Sequence, residues 1–530
     1  MPKHGLFHNT LTIWAILMSG IMVWRLAPGV PLTHDAEPNI ARFAAYYQSF
    51  RDGQFPPRWA GELNYSYGSP VLSFSYPLPG YAATLFRFMG IPYETAFIIL
   101  AGLSFFGGMF LWYRFIRLFY GYEVSLISAV LFSSVPYSML NMFVRGDVGE
   151  LMAYALIPSV LYAIERHKPD IVGYAALILS HNIVAYLITP VFFAYALVRA
   201  KSAQILFAGG ILASSFYWLP ALYEQRYVLG SLVIGDMYKD QFLPFQNLVF
   251  YPWGYGAIAG IPGGQAPQIG PVIAVCVLAL LFFKKRNTHT PVPLIFWFGV
   301  LGIYLFIITG WLPFVWDIVP FLPMVQFPWR LLSVVSVSAV VISTVCINYF
   351  FFHQRFMLYI LFVCTLAYTW YSSAVNGYVH HEDGYYETYR GTTYYHGQTT
   401  PVWTAGDASE IPANPVDIIG GDAVVSDYTR KSNLHTFTVT AKNEAIVMDN
   451  TVFFPGWRVS VDDHEVPVQF QDPSHRGIIT FTVPEGVSDV RVWFSETKIR
   501  MLGDMVSLVS WMVLVGWAVI RRIGLIRRIC

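Results

Sequence analysis

Long apolar runs separated by short polar connections make up most of the chain between residues 11 and 374. A membrane-spanning helix needs about 20 predominantly apolar residues. The pattern predicts a first span at Leu11–Trp24 and further spans at 94–113, 122–140, 150–164, 171–188, 189–198, 203–219, 270–283, 292–309, 331–350, 356–374 and 503–520. We therefore expect about twelve transmembrane helices. The stretch 171–198 fits this pattern least well and predicts two short helices, or one helix broken at Ser180-His181-Asn182.

The segment Pro31–Pro79 interrupts this pattern with acids, amides, aromatic residues, Gly and Pro. His34, Asp35 and Glu37 follow the first predicted helix by a few residues, close to the membrane surface. Ionisable groups in such a place indicate a functional site, and the segment is longer than a plain connection requires. The alternative is that these residues are solvated loop acids. A protonated His34 would favour the charged form of Asp35. The apolar run Gly80–Met89 is too short to span a bilayer and is expected in the outer interface.

From Asn376 onward the apolar runs stop and short alternating segments begin, such as His435–Thr440 and Ile478–Val483. Alternation between turn signals predicts a β-sandwich or jelly-roll-like domain, from about Pro415 to Lys498, that folds independently. The predicted fold is a polytopic α-helical membrane protein with a C-terminal exterior β domain. Its predicted parts are a transmembrane region at 1–375 with a large first exterior loop at 28–93, a β-rich region at 376–500, and a final helix with a basic cytoplasmic tail at 501–530.

Composition supports the membrane prediction. The chain is 55% hydrophobic and only 12% charged, with a mean hydropathy of +0.49, whereas soluble domains carry about 25% charged residues. A soluble single-domain protein is therefore excluded, and the lipid bilayer is the first expected partner. A net charge of +1 says nothing about nucleic acid, but no basic stripe with interleaved aromatic residues is seen, so no nucleic-acid partner is expected.

Basic residues gather on one predicted side of the membrane: Arg114, Arg117, Arg166-His167-Lys168, Arg199, Lys201, Lys284-Lys285-Arg286, Arg355 and Arg521 through Arg528. By the positive-inside rule this side is cytoplasmic, which places both termini of a multi-pass plasma-membrane protein in the cytoplasm. The long loops and the acids Asp35, Asp147 and Glu150 fall on the exterior side.

Four exterior clusters carry candidate chemistry: His34-Asp35-Ala36-Glu37, Arg145 through Glu150, Ser180-His181-Asn182 and Gln326 through Arg330. An acid that deprotonates a hydroxyl and cations that hold a phosphate leaving group suit transfer from a lipid-phosphate donor. Simpler interpretations remain. Arg330 is also consistent with a snorkelling interfacial arginine, Arg145 with a structural ion pair to Asp147 or Glu150, and His181 with a capping or core histidine.

Other sites are poorly supported. No phosphate-binding loop or dinucleotide-binding glycine pattern appears, so no nucleotide cofactor is expected. His380-His381-Glu382-Asp383 are adjacent in a predicted loop and rarely converge on one metal ion, so no metal site is assigned there. None of the four cysteines falls in the predicted exterior domain, which therefore has no disulfide of its own.

Several strings occur together in a specific order: GQFPPRW, YGSP, SYPLPGY, RGDVGELMAYALIP, LSHN, QFPWRLL, FFPGWRVSVDD and VPEGVSDVRVWF. With the acid after the first span, they resemble the bacterial membrane proteins named 6-pyruvoyl-tetrahydropterin synthase-related. That family is similar to the C-type (GT-C) glycosyltransferases, multi-span enzymes with an acidic site in a large first exterior loop. The pterin-synthase name implies no pterin chemistry here, since such an enzyme needs zinc-binding histidines and a nucleophilic cysteine.

The resemblance implies a polyprenyl-phosphate-linked sugar as donor and a glycan, lipid or protein as acceptor. It places Asp35 at the position of the first-loop acid, as catalytic base. The superfamily often has a second acid directly beside the first; here the nearest is Glu37, which is the second predicted catalytic residue. Arg145 and Arg330 would bind the donor phosphate. The other substrate-binding residues would be His34, Asp147, Glu150, His181 and Gln326. The need for a divalent metal varies in the superfamily and is left open.

Two other functions remain possible from the sequence. A glycolipid transporter or flippase would have broken helices in matched halves, and only the region near 180–190 fits. A non-catalytic cell-envelope assembly protein would use the β domain to bind glycan.

Overall fold

The computed structural model describes residues 2–168, 170–200, 204–254, 267–282, 292–394 and 397–529. The chain forms two compact units, each built from three separate segments. The first unit comprises Met1–Asn39, Glu94–Ile211 and Gly235–His380. The second comprises Ile40–Tyr93, Leu212–Ile234 and His381–Cys530.

The α-helices follow in chain order: α1 Pro2–Leu26, α2 Ala36–Arg51, α3 Val71–Phe74, α4 Pro77–Phe88, α5 Tyr93–Ile116, α6 Tyr122–Ser133, α7 Pro136–Leu140, α8 Val148–Glu165, α9 Ile171–Ser180, α10 Asn182–Arg199, α11 Gln204–Ala213, α12 Ser215–Glu224, α13 Gly230–Ile234, α14 Phe245–Val249, α15 Pro271–Phe282, α16 Leu294–Ile308, α17 Phe314–Ile318, α18 Leu332–His353, α19 Arg355–Ser372, α20 Asp383–Glu387 and α21 Lys498–Ile529. A π-helical turn, Asn141–Arg145, lies between α7 and α8, and a 3₁₀ turn, Pro328–Leu331, precedes α18.

Seven helical segments among the described residues are long and apolar enough to cross a membrane: Asn9–Leu26, Tyr93–Ile116, Tyr122–Arg145, Val148–Glu165, Asn182–Arg199, Pro328–His353 and Lys498–Ile520. Three shorter apolar helices accompany them. Length and composition thus identify a multi-pass membrane protein. The count of twelve spans stays a prediction, and the basic group Lys284-Lys285-Arg286 lies outside the described residues.

Helix α18 is the centre of the first unit. Residues 328–347 are all buried, and the segment Pro328–His353 packs against α6, α15, α16 and α19. Such a helix is apolar all round because every face meets protein rather than lipid or water. The predicted break near residue 181 is confirmed, since α9 ends at Ser180 and α10 begins at Asn182. The predicted boundary between residues 188 and 189 is wrong, because α10 continues through Pro190 to Arg199.

The polar segment after α1 is partly helical, whereas the sequence predicted a loop. The short strand β1 (Val30–Pro31) pairs antiparallel with β2 (Tyr378–Val379). Helix α2 begins directly after Asp35, and the Thr33 Oγ1 accepts a hydrogen bond from the Ala36 amide at 3.3 Å. Asp35 is therefore held by the start of α2 rather than by the end of the first helix. Helix α4 covers the predicted interfacial run and exposes Leu85 and Phe88.

The C-terminal strands form two antiparallel sheets: β3 Val416–Gly420, β4 Ala423–Lys431, β5 Leu434–Ala441, β6 Ala445–Val452, β7 Trp457–Val461, β8 His464–Val466, β9 Ile478–Val483 and β10 Gly486–Phe494. One sheet has the order β4-β5-β10-β7-β8 and the other β3-β6-β9. The apolar sides of both sheets share one core, which confirms the predicted β-sandwich.

That core is not made by the strands alone. Trp59 is 1% exposed and lies among the buried strand residues, with its ring 5.3 Å from those of Trp457 and Phe494. Val228 is buried in the same core. The expectation that the β domain folds independently is therefore weakened, because two earlier segments of the second unit complete its core.

Candidate functional site

The candidate site is in the first unit, at the corner between α7 and α8. The π-helical turn Asn141–Arg145 ends at Gly146, whose φ of +72° favours glycine. A Cβ there would lie 2.1 Å from Thr33 Oγ1, so no larger residue fits without a shift. Asp147 then caps α8, because its Oδ1 accepts a hydrogen bond from the Glu150 amide at 3.0 Å. This compact corner directs Arg145, Asp147 and Glu150 into one cluster.

Arg145 is the central cation of this cluster and is 1% exposed. Its Nη1 donates to Asn141 Oδ1 at 2.6 Å and also contacts the Glu150 carboxylate. Its Nη2 donates to Asp147 Oδ2 at 3.2 Å, and its guanidinium stacks over the ring of Trp329 at 4.8 Å. A buried charge needs such compensation, so the structural ion pairs expected from the sequence are present.

Asp35 stands at the accessible edge of the cluster. Its backbone amide donates to the Arg145 carbonyl at 2.6 Å, and Asn39 Nδ2 donates to the Asp35 carbonyl at 2.8 Å. The Asp35 Oδ2 lies 3.9 Å from Arg145 Nη2, and the side chain is 43% exposed. Among the acids paired with Arg145, Asp147 and Glu150 are 6% and 0% exposed. Asp35 is therefore the most exposed acid of this group.

Glu150 connects Arg145 to the segment before α18. The Tyr137 hydroxyl donates a hydrogen bond to Glu150 Oε1, and Arg330 Nε lies 3.9 Å from Glu150 Oε2. Arg330 Nη1 donates to the Val325 carbonyl at 2.9 Å and to Gln326 Oε1 at 2.8 Å. A fully buried carboxylate between these donors is suited to positioning the arginines and poorly placed to take a proton from a substrate.

His181 occupies the break between α9 and α10 and is 2% exposed. Its Nδ1 accepts a hydrogen bond from the Val184 amide at 3.3 Å, so it caps α10. In the neutral ring the hydrogen is therefore on Nε2, and this nitrogen lies 3.5 Å from Asp147 Oδ2. The histidine is thus both a helix cap and a member of the cluster.

The electrostatics of the corner keep Asp147 ionised. Burial alone would raise the pKa of Asp147, but His181, Arg145 and the Glu150 amide together hold this pKa well below its usual value. The pKa of His34 is lowered by burial and by Arg145, and Asp35 raises it too little to compensate. The lowered pKa disfavours the protonated form of His34 on which charge assistance to Asp35 depends, and that assistance stays a prediction.

Three buried donors of the cluster lack a hydrogen-bond acceptor within the described part of the chain: Arg145 Nε, Arg330 Nε and Asn141 Nδ2. Buried polar groups are almost always paired, so unpaired donors in one place call for an explanation. Two of the three belong to guanidinium groups, which match phosphate oxygens in charge and geometry. An acceptor-rich anion is the ligand that these donors suit.

Asp147, Glu150 and His181 also have the chemistry of a divalent-cation site, since one ligand atom from each lies within 4.8 Å of the others. Arg145 contacts both carboxylates. Arg145 would therefore compete with a metal ion for these carboxylates.

The structure brings together seven of the nine residues predicted from the sequence: Asp35, Arg145, Asp147, Glu150, His181, Gln326 and Arg330. His34 is joined to the same corner through its amide, which donates to the Val144 carbonyl at 3.1 Å. Glu37 lies in the first turn of α2, where a carboxylate complements the helix dipole.

Sequence reasoning missed Tyr137, Asn141 and Trp329. Tyr137 and Asn141 lie within or beside a predicted apolar span, and a single tyrosine or asparagine there gives no charge signal. Trp329 stands inside the QFPWRLL string, and its place next to Arg330 was the available signal.

No family model and no curated protein sequence matches the chain. The resemblance to the pterin synthase-related membrane proteins therefore stays a prediction. Among solved structures, the chain is similar to the mycobacterial arabinofuranosyltransferase AftD, with a TM-score of 0.34 and 12% identity. A mutant of AftD gives a TM-score of 0.36, also at 12% identity. Each match covers 69% of this chain and only 27% of the AftD chain. At these TM-scores the likeness defines neither a shared fold nor a shared activity.

Proposed function

We propose that this chain is a membrane glycosyltransferase of the GT-C type, which moves a sugar from a polyprenyl-phosphate donor to an acceptor hydroxyl at the outer membrane face. The observation that carries the proposal is the set of buried donors on Arg145, Arg330 and Asn141 that have no hydrogen-bond acceptor among the described residues, beside the accessible carboxylate of Asp35. Cations for a phosphate leaving group and a base for the acceptor are the two parts that such a transfer requires.

In the proposed reaction the acceptor oxygen attacks the anomeric carbon while its proton passes to the Asp35 carboxylate. The bond from that carbon to the donor phosphate oxygen breaks, and polyprenyl phosphate leaves with its electron pair. Arg145 and Arg330 stabilise the negative charge that grows on the phosphate. The attack from the opposite side inverts the anomeric configuration.

The remaining residues hold this geometry. Asp147 and Glu150 balance the two arginines, His181 hydrogen bonds toward Asp147, and Tyr137 donates to Glu150. Small displacements of reacting groups lower rates strongly, so these contacts serve positioning rather than proton transfer.

The test uses the purified full-length protein in liposomes with radiolabelled polyprenyl-phosphate sugars. We expect label transfer to acceptor lipids or glycans, or slow donor hydrolysis, with stoichiometric release of polyprenyl phosphate. Movement of intact donor across the bilayer without release of polyprenyl phosphate would overturn the proposal in favour of a flippase. Binding of glycan without any turnover of a panel of donors would favour an assembly protein.

A further inference from the structure

A second cluster of charge lies at the other end of α8, around a cavity of about 420 Å³. Its lining includes Arg114 near the end of α5, Tyr162 and Arg166 at the end of α8, and Lys168 and Asp170 before α9. Glu150 and Arg166 are 16 positions apart on or beside α8, which corresponds to about 24 Å at 1.5 Å per residue. The cavity is therefore separate from the candidate active site.

The lining is basic. Three cations, Arg114, Arg166 and Lys168, face one acid, Asp170. That acid is already engaged, since its Oδ1 accepts the hydrogen bond of the Gly173 amide at 2.9 Å and caps α9. All three cations are exposed. The cavity thus offers positive charge to an anion from the solvent or the membrane surface.

The backbone turn fixes where Arg166 and Lys168 leave the end of α8, and Tyr162 holds Arg114. His167 has a φ of +51°, and the Lys168 amide donates to the Ala163 carbonyl at 3.1 Å, which closes the end of α8 in a Schellman-type turn. Arg114 Nη2 donates to the Tyr162 hydroxyl at 3.4 Å, and its guanidinium lies 4.8 Å from that ring. Cations at helix C-termini complement the helix dipole, but the dipole alone does not require a cavity between them.

We propose that this cavity binds the phosphate of an anionic phospholipid head group, on the side of the membrane that the sequence predicts to be cytoplasmic. The phosphate would lie among Arg114, Arg166 and Lys168, and the acyl chains would follow the apolar side of the cavity, which Leu111 lines. Basic pockets between membrane helices on this side suit phosphate head groups. A free phosphate ion has the same recognition chemistry, so the experiment includes it separately.

The experiment measures lipid binding to the delipidated full-length protein by native mass spectrometry and by the thermal midpoint in detergent. The probes are phosphatidylglycerol, phosphatidylcholine and inorganic phosphate at matched ionic strength. We expect phosphatidylglycerol to bind the wild type more tightly than phosphatidylcholine. The double variant Arg166→Gln/Lys168→Gln should lose this preference by roughly five-fold for each cation removed.

The matched control is Arg117→Gln, which removes an exposed arginine on the same side, three positions from Arg114 and outside the lining. The control should keep the full preference for phosphatidylglycerol over phosphatidylcholine. This preference comes from the cations that line the cavity, and Arg117 is not one of them. An equal loss in the control and the double variant would overturn the proposal. Displacement of phosphatidylglycerol by inorganic phosphate at similar concentration would overturn the lipid as the occupant. None of these readouts depends on sugar transfer.

Discussion

Asp147 illustrates how the candidate site combines stability with function. Because the pKa of Asp147 is held well below its usual value in the folded protein, its contribution to stability is present above the unfolded pKa of about 4. That contribution is lost only as the pH falls through the lowered folded pKa. Between pH 5 and pH 8 Asp147 is thus ionised in both the folded and unfolded states.

We expect Asp147→Asn to lower the thermal midpoint of the full-length protein by a similar amount at every pH from 5 to 8. Removing one partner of a buried pair typically costs about 3–5 kcal/mol, and Glu150 remains beside Arg145, so the lower end applies. The control Asp236→Asn removes an acid that is 84% exposed and should change little. If the difference in thermal midpoint between the wild type and Asp147→Asn grew with pH across this range, a group other than Asp147 would be titrating.

Arg330 is predicted to bind the donor. Arg330→Lys keeps the charge but loses the planar fork, so donor affinity should fall by about ten-fold while turnover of bound donor largely survives. The comparison variant is Gln326→Ala, which removes one acceptor of the Arg330 side chain and leaves the cation. Measuring the transfer rate as a function of donor concentration separates a change in donor affinity from a change in turnover. Unchanged donor affinity in Arg330→Ala would make Arg330 a structural residue.

At the residue scale, charged positions were predictable and their neutral partners were not. Asp35, Arg145 and Glu150 stand out because ionisable residues are rare beside membrane spans. Their burial could not be predicted, since Asp147 and Glu150 become inaccessible only when the corner at Gly146 folds back on Thr33. Tyr137 and Asn141 are recognisable only once Arg145 and Glu150 are seen beside them.

At the scale of elements, the polar interruption at Ser180-His181-Asn182 predicted a helix break correctly, whereas the predicted boundary after residue 188 was wrong. His181 marks a break because its side chain can cap the next helix, and it does so. Pro190 lies inside α10 without ending it. The alternation of β5 and β9 predicted strands. The contribution of Trp59 to their core is different, because Trp59 and the strand residues are hundreds of positions apart in the chain. No local pattern reveals such a contact.

We expect Trp59→Ala to destabilise the β domain by about 3–5 kcal/mol, the usual loss for a buried tryptophan. Limited proteolysis of the full-length protein, read as the rate of cleavage within residues 416–494, measures this. Trp493→Ala is the matched control, because Trp493 is only partly buried and should give a smaller loss. Equal protection of wild type and Trp59→Ala would mean that the strands form a complete core by themselves, as the sequence alone predicted.

At the scale of the whole molecule, the membrane class follows from composition and the two compact units do not. A charged fraction of 12% and apolar runs of membrane-spanning length are enough to predict a membrane protein. Each unit joins three distant segments, and the second takes residues from the first polar segment and from the C-terminal part. Single-sequence patterns carry no information on such pairings. The side of the membrane on which each segment lies rests on the positive-inside rule alone.

That rule makes a direct prediction for topology. A reporter fused after Lys168 should give a cytoplasmic signal, and one fused after Trp403 an exterior signal. Paired phosphatase and fluorescent-protein fusions in cells measure both. An exterior signal at Lys168 would contradict the proposed cytoplasmic lipid cavity, and a cytoplasmic signal at Trp403 would contradict an exterior β domain.

The most direct test of the proposed mechanism is the single-turnover rate of sugar transfer by Asp35→Asn. The side chain is 43% exposed, so this change should leave folding and membrane insertion intact. Loss of a general base typically lowers the rate by about 10²–10⁴. The control Asp236→Asn removes an exposed acid outside the cluster and should transfer at the wild-type rate. We predict a loss of at least about 100-fold in Asp35→Asn with donor affinity retained; transfer at the wild-type rate would contradict the assignment of Asp35 as the base.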